Sequence, residues 1–156
     1  MTDTPLEAQL PAHIIAKADV QHGEYAWRVK DIPEVVKAAA DMNLLNLGGQ
    51  LQVRIPGCIG ECDWVDADPA AMVPPELPWE VRVRMAAELS HQEMADLQQH
   101  FDFHQQIREA FPAHVEPYLA SGGKIEDATW FVWYVMDEAG DKAFQDAQVA
   151  QDPDGL

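Results

Sequence analysis

The chain has 156 residues, with 27 Asp and Glu against 10 Lys and Arg, a formal charge of −17 at neutral pH. Apolar residues make up 47%, including five Trp and five Phe, which excludes a disordered chain and suits one core with no metal or disulfide staple. Such acidity disfavours nucleic acid and anionic lipid as partners and favours basic protein surfaces.

Leu6 to Ala18 predicts a short helix interrupted at Pro11, and Gly23 ends the segment. Tyr25 to Val29 alternates around aromatic and branched residues, which predicts a strand. Asp31 stands where a helix N-cap is needed, with Pro33 in the first turn and Glu34 as the capping-box partner. Val35, Val36, Ala39 and Met42 continue that helix, which Asn43 and Gly48-Gly49 stop. Leu51, Val53 and Ile55 alternate with polar residues, Pro56-Gly57 and Gly60 punctuate, and Cys62 to Val65 resumes. Together they predict a hairpin over residues 50–66.

Residues 66–78, with Asp66, Asp68 and four prolines, predict a long exposed loop. Trp79 to Met85 alternates as a strand, in competition with a helix through Leu89. Ser90 and Glu93 form a second capping-box pattern ahead of a long amphipathic helix over 91–111, ended or kinked at Pro112. A shorter helix to Tyr118 closes at Gly122-Gly123. Thr129 to Met136 is apolar on both alternating faces, the pattern of a central strand or of one paired in a homodimer. Lys142 to Ala150 predicts a last helix. This order implies one α+β domain over 1–156, an antiparallel or mixed sheet of about four to five strands with packed helices, with 1–23 and 151–156 expected to be poorly ordered.

Chemical motifs are few. Asp96, His100 and His104 fall at i, i+4 and i+8 on the long predicted helix, a spacing that can share a metal ion. Phe101 stands where a metalloprotease-type motif requires Glu, and an ordinary half-buried histidine competes with the metal reading. Cys58 and Cys62 are separated by three residues rather than the two of a thioredoxin-type pair, and no second pair completes a zinc site. Gly122-Gly123-Lys124 lacks the spacing and hydroxyl of a phosphate loop, and Gly48-Gly49 precedes a strand rather than a helix. No catalytic set and no cofactor are therefore expected. The start of the chain lacks the pattern of a secretory signal, and two cysteines fit a reduced cytoplasmic setting.

The acid is unevenly spread. Residues 1–60 hold seven acids and five bases, whereas 61–156 hold 20 acids and five bases. Glu61, Asp63, Asp66 and Asp68 surround Trp64. An aromatic among acids has the makeup of a protein-binding patch, in which the ring anchors and the acids steer. A hairpin edge protected by charge explains the same residues.

Tyr25-Ala26-Trp27, the helix after it, and Leu47-Gly48-Gly49 leading into a strand resemble small bacterial immunity proteins of polymorphic-toxin systems. Gln50 stands where some of those families carry an acid, and the resemblance covers about a fifth of the chain. It implies a protein that binds and blocks a basic toxin. The sequence thus leads to a non-catalytic binding protein for a basic protein partner, with metal-site and oligomeric-domain readings as rivals.

Overall fold

The computed structural model describes residues 4–151. The chain begins with a 3-10 turn (Leu6–Gln9) and, after Pro11, the short helix α1 (Ala12–Ile15), which send Leu10 and Ile14 into the core. The expectation of a poorly ordered 1–23 is thus overturned for residues 4–23; residues 152–156 of the expected tail lie outside the described residues.

Strands β1 (Asp19–Gln21) and β2 (Glu24–Trp27) form a tight hairpin, with Gln21 opposite Glu24. His22 and Gly23 both take positive φ, 53° and 78°, as a two-residue turn between right-twisted strands requires. Gly23 is therefore a turn residue inside a hairpin, and β1 is an element the sequence reading missed. Trp27 is fully buried, and its indole N–H donates to the Ile14 carbonyl at 2.8 Å. Val29, expected in that strand, starts a 3-10 turn instead (Val29–Asp31).

Helix α2 (Ile32–Asp41) buries Ile32, Val35, Val36, Ala38 and Ala39. Asp31 sits at its N-cap, but its side chain caps nothing and lies 3.8 Å from Lys17 Nζ. Asn43, at φ 60°, ends the helix in the left-handed conformation. Strand β3 (Leu45–Ile55), the Pro56-Gly57 turn and strand β4 (Cys58–Ala67) make the expected hairpin, longer at both ends. Gly48 and Gly49 lie within β3 rather than ending α2. They are small because neighbours press close: a Cβ at Gly49 would overlap the Val132 carbonyl, and one at Gly48 the Ala67 carbonyl.

The loop after β4 contains a 3-10 turn (Pro69–Met72) and leads into helix α3 (Trp79–His100). Helix, not strand, wins over Trp79–Met85. Trp79, Val83, Ala86, Ser90 and Met94 are all buried at helical spacing, while Val81 and Met85, which alternation would turn inward, are half-buried. Ser90 is accordingly mid-helix, donating its hydroxyl to the Ala86 carbonyl at 2.6 Å, and caps nothing. The expected 91–111 helix breaks at Phe101. Asp102 restarts it by accepting the Gln105 N–H at 3.2 Å, opening α4 (Phe103–Ala110). Pro112 begins α5 (Pro112–Ala120), and α6 (Ile125–Ala128) follows.

Strands β5 (Thr129–Val132) and β6 (Tyr134–Met136) complete an antiparallel sheet of order β1-β2-β5-β3-β4, with β6 extending the pairing along β3. Helix α7 (Glu138–Gln151) closes the described chain, held to α3 where Arg82 donates to both Asp141 carboxylate oxygens at 3.0 and 3.2 Å. The fold is α+β. Helices α2, α3 and α4 pack on the sheet, and Trp27, Leu51, Val53, Cys62, Phe131 and Trp133 share the core. No helix among the described residues is long and apolar enough to cross a membrane.

Candidate functional site

Alternation along the strands sends a second set of side chains to the face away from that core. These include Glu24, Gln52, Arg54, Glu61 and Tyr134. Arg54 is buried there, its side chain 3% exposed. Its Nε donates to Gln52 Oε1 at 3.0 Å, and its Nη1 reaches both the Asp19 carboxylate at 3.0 Å and the Asp19 carbonyl at 2.8 Å. The guanidinium thereby fastens the β1–β2 hairpin over β3 and neutralises Asp19.

Beyond Arg54 the face turns acidic. The Tyr134 hydroxyl donates to the Glu24 carboxylate, and Gln52 Nε2 stands 3.4 Å from Glu61 Oε1. Burial raises the Glu61 carboxyl above its ordinary value, and the charges of Asp63 and Glu24 raise it further. The Tyr134 phenol is pushed up to about 12, first by burial and then by its bond to Glu24.

The predicted cluster around Trp64 is divided by a bulge. Leu51 pairs with Cys62 but its neighbour Gln50 pairs with Asp66, so residues 63–65 have no counterpart on β3. Val65 fills the core, while Trp64 stands 52% exposed. The indole N–H of Trp64 donates to Gln106 Oε1 of α4 at 2.7 Å, which fixes the ring's orientation. Glu61 and Asp63 remain with Glu24 on the sheet. Past the bulge, Asp66 and Asp68 approach α3, where the Asp68 N–H donates to Glu93 Oε2 at 2.9 Å. Burial raises the Glu93 carboxyl, and the nearby charges of Asp68, Asp66 and Asp96 add to it. Glu24, Glu93 and Tyr134 were missed in the sequence. Glu93 was legible only as a capping partner for Ser90, and nothing local marks Glu24 or Tyr134.

Asp96 therefore belongs to this second acidic group rather than to a metal site with His100 and His104. The helix break is the reason. His100 is the last residue of α3, its Nδ1 2.7 Å from the Asp96 carbonyl, whereas His104 lies on α4. Among the described residues, no three or more His, Cys, Asp or Glu side chains are placed to hold a metal ion. Cys58 and Cys62 are free thiols. Four residues apart on one strand, their Cα atoms are separated by about 13 Å, too far for a disulfide. Burial pushes the Cys62 thiol up to about 11.

A cleft of about 980 Å³ opens elsewhere, between the α3–α4 junction, the Val29–Asp31 turn and β5. Lys17, Arg28, Lys30, Phe101, His104 and Trp130 are among its walls. The Arg28 guanidinium stacks 4.4 Å from the centre of the Trp130 ring and donates to Asp127 at 3.0 Å. Comparison of the chain with protein-family models, curated proteins and solved structures finds no match.

Proposed function

We propose that this protein is a non-catalytic binding protein that engages a basic protein partner through the surface formed by β4 and the facing turns of α3. One observation carries the reading. Glu61, Asp63, Asp66, Asp68, Glu93 and Asp96 have no Lys, Arg or His within ion-pairing distance among the described residues, while Lys17, Arg28, Lys37, Arg54, Arg82 and Arg108 pair elsewhere. Six carboxylates are thus left without an intramolecular counter-ion. Two of them, Glu61 and Glu93, hold their protons more tightly for it. A cationic partner relieves that repulsion on docking, and its approach is accelerated by the same field.

Trp64 supplies what charge alone does not. A half-exposed ring with its orientation fixed loses little freedom on binding, and such residues dominate interface energies. Neutralisation of a basic toxin, as the resemblance at Tyr25-Ala26-Trp27 and Leu47-Gly48-Gly49 implies, is the most concrete form of this function.

The test is retention of a partner from lysate of the source cell at low and at high salt, with an Asp63→Asn, Asp66→Asn, Trp64→Ala variant in parallel. Retention of a basic protein that is lost at high salt and lost in the variant supports the proposal. Retention indifferent to both salt and the variant overturns it. A neighbouring gene for a large secreted protein with a basic C-terminal domain further supports the immunity form.

A further inference from the structure

The cleft beside Trp130 runs against the charge of the molecule. In a chain with 10 Lys and Arg, three of them, Lys17, Arg28 and Lys30, line this one cavity. Four carboxylates line it as well, but three are already engaged. Asp31 stands 3.8 Å from Lys17, Asp127 is 3.0 Å from Arg28, and Asp102 accepts the Gln105 N–H that starts α4. Lys30 is exposed and has no carboxylate within ion-pairing distance among the described residues. Its ammonium therefore faces the cavity with its charge uncompensated, and Glu126 is the one lining acid left to oppose it.

The remaining walls are flat and apolar. Phe101 and Trp130 face the cavity with Thr129 and Val29, and Phe103 is buried behind them. Trp130 is held in place from two sides, by Arg28 stacked over its ring and by its own N–H donated to the Asp127 carbonyl at 3.0 Å. A volume of about 980 Å³ is of the size that takes a small organic ligand. Cationic donors beside fixed aromatic walls suit a ligand with an anionic head and a planar body.

We propose that this cleft binds a small aromatic anion, its phosphate or carboxylate held by Lys30 with Lys17 and Arg28 beside it, and its ring against Trp130 and Phe101. The proposal does not depend on the acidic surface, which selects for the opposite charge.

The experiment follows the Trp130 indole N–H by nitrogen–proton correlation NMR of the full chain, the peak being assigned by its loss in Trp130→Phe. Phenyl phosphate, benzoate and benzylamine are titrated into the millimolar range. A saturable shift with one or both anions and none with benzylamine is expected, and the stronger anion identifies the head group. Lys30→Ala, at an exposed side chain with no ion pair to lose, should weaken the anion roughly tenfold, while Lys142→Ala, outside the cleft, should not. An equal or larger response to benzylamine, unchanged affinity in Lys30→Ala, or no saturable shift with either anion overturns the proposal.

Discussion

The carboxylate of Glu7 accepts the main-chain N–H of Val135 at 2.9 Å, joining positions 128 residues apart. β6 pairs with β3 through one edge, and the Glu7 side chain takes a place that a neighbouring strand would otherwise fill. Glu7 is 7% exposed, and burial raises its carboxyl despite that N–H bond.

The sign of this shift gives the first prediction. A carboxyl raised in the fold contributes stability that is full below its ordinary value and is lost as pH rises through the raised value. Glu61 and Glu93 shift in the same direction. The thermal midpoint should therefore rise by a few degrees between neutral pH and about pH 5. Glu7→Gln keeps an acceptor for Val135 and removes the charge, so it should be stabilised at neutral pH with a flatter profile. Glu7→Ala should lose about 1–3 kcal/mol by leaving a buried N–H unpaired. Parallel pH profiles for the wild type and Glu7→Gln in thermal melts would remove Glu7 from this account.

Arg54 carries the second. Its guanidinium is buried among Gln52, Asp19 and the Glu24 carbonyl. Arg54→Ala strands Asp19 and leaves a void, and should cost about 3–5 kcal/mol in urea unfolding. Arg54→Met with Asp19→Asn removes both charges and should recover most of the loss. Equal costs for the single and double changes would show that the ion pair is incidental.

Two glycines should separate steric from conformational demand. Gly49→Ala drives a Cβ into the Val132 carbonyl where β3 adjoins the β5–β6 junction, and should yield no cooperatively folded protein. Gly57→Ala meets open space, and only its φ of 81° opposes it, at a cost of about 1–2 kcal/mol. Circular dichroism melts of the two variants distinguish these outcomes.

The thiols should differ in reactivity. Cys62 is buried with its thiol near 11, whereas Cys58 is half-buried. Near pH 8, one equivalent of a disulfide reagent should react with the native protein, at Cys58, and a second only after denaturation. Mass spectrometry of native protein under oxidant should show no Cys58–Cys62 bond within one chain.

The sequence was most legible where one local signal decided the outcome. Pro33 starting α2, Asn43 ending it, Pro56-Gly57 turning the hairpin and the doubly apolar Thr129–Met136 all act through backbone stereochemistry or through burial on both faces. It was least legible where two signals coincided. Trp79 to Met85 satisfies alternation, and only the longer series through Met94 shows the helical face. Ser90–Glu93 and Asp102–Gln105 both look like caps, yet only the second lies at a helix start, because burial of Ser90 commits its hydroxyl to Ala86. The acidic surface was legible in part. Composition located Glu61, Asp63, Trp64, Asp66 and Asp68, but their division by a three-residue bulge, and the addition of Glu24 and Glu93 from distant elements, are tertiary facts.

The place of β5 in the sheet bears on how the molecule is made. Residues 129–132 lie between two hairpins, one complete by Trp27 and the other by Ala67. During synthesis those hairpins emerge early, but nothing joins them until the strand between them has left the ribosome. A chain halted before Thr129 therefore exposes two half-sheets with unsatisfied edges, and the native sheet closes as a late, long-range event. Such an order slows folding, and it makes the incomplete chain, rather than the finished one, the species in need of a chaperone.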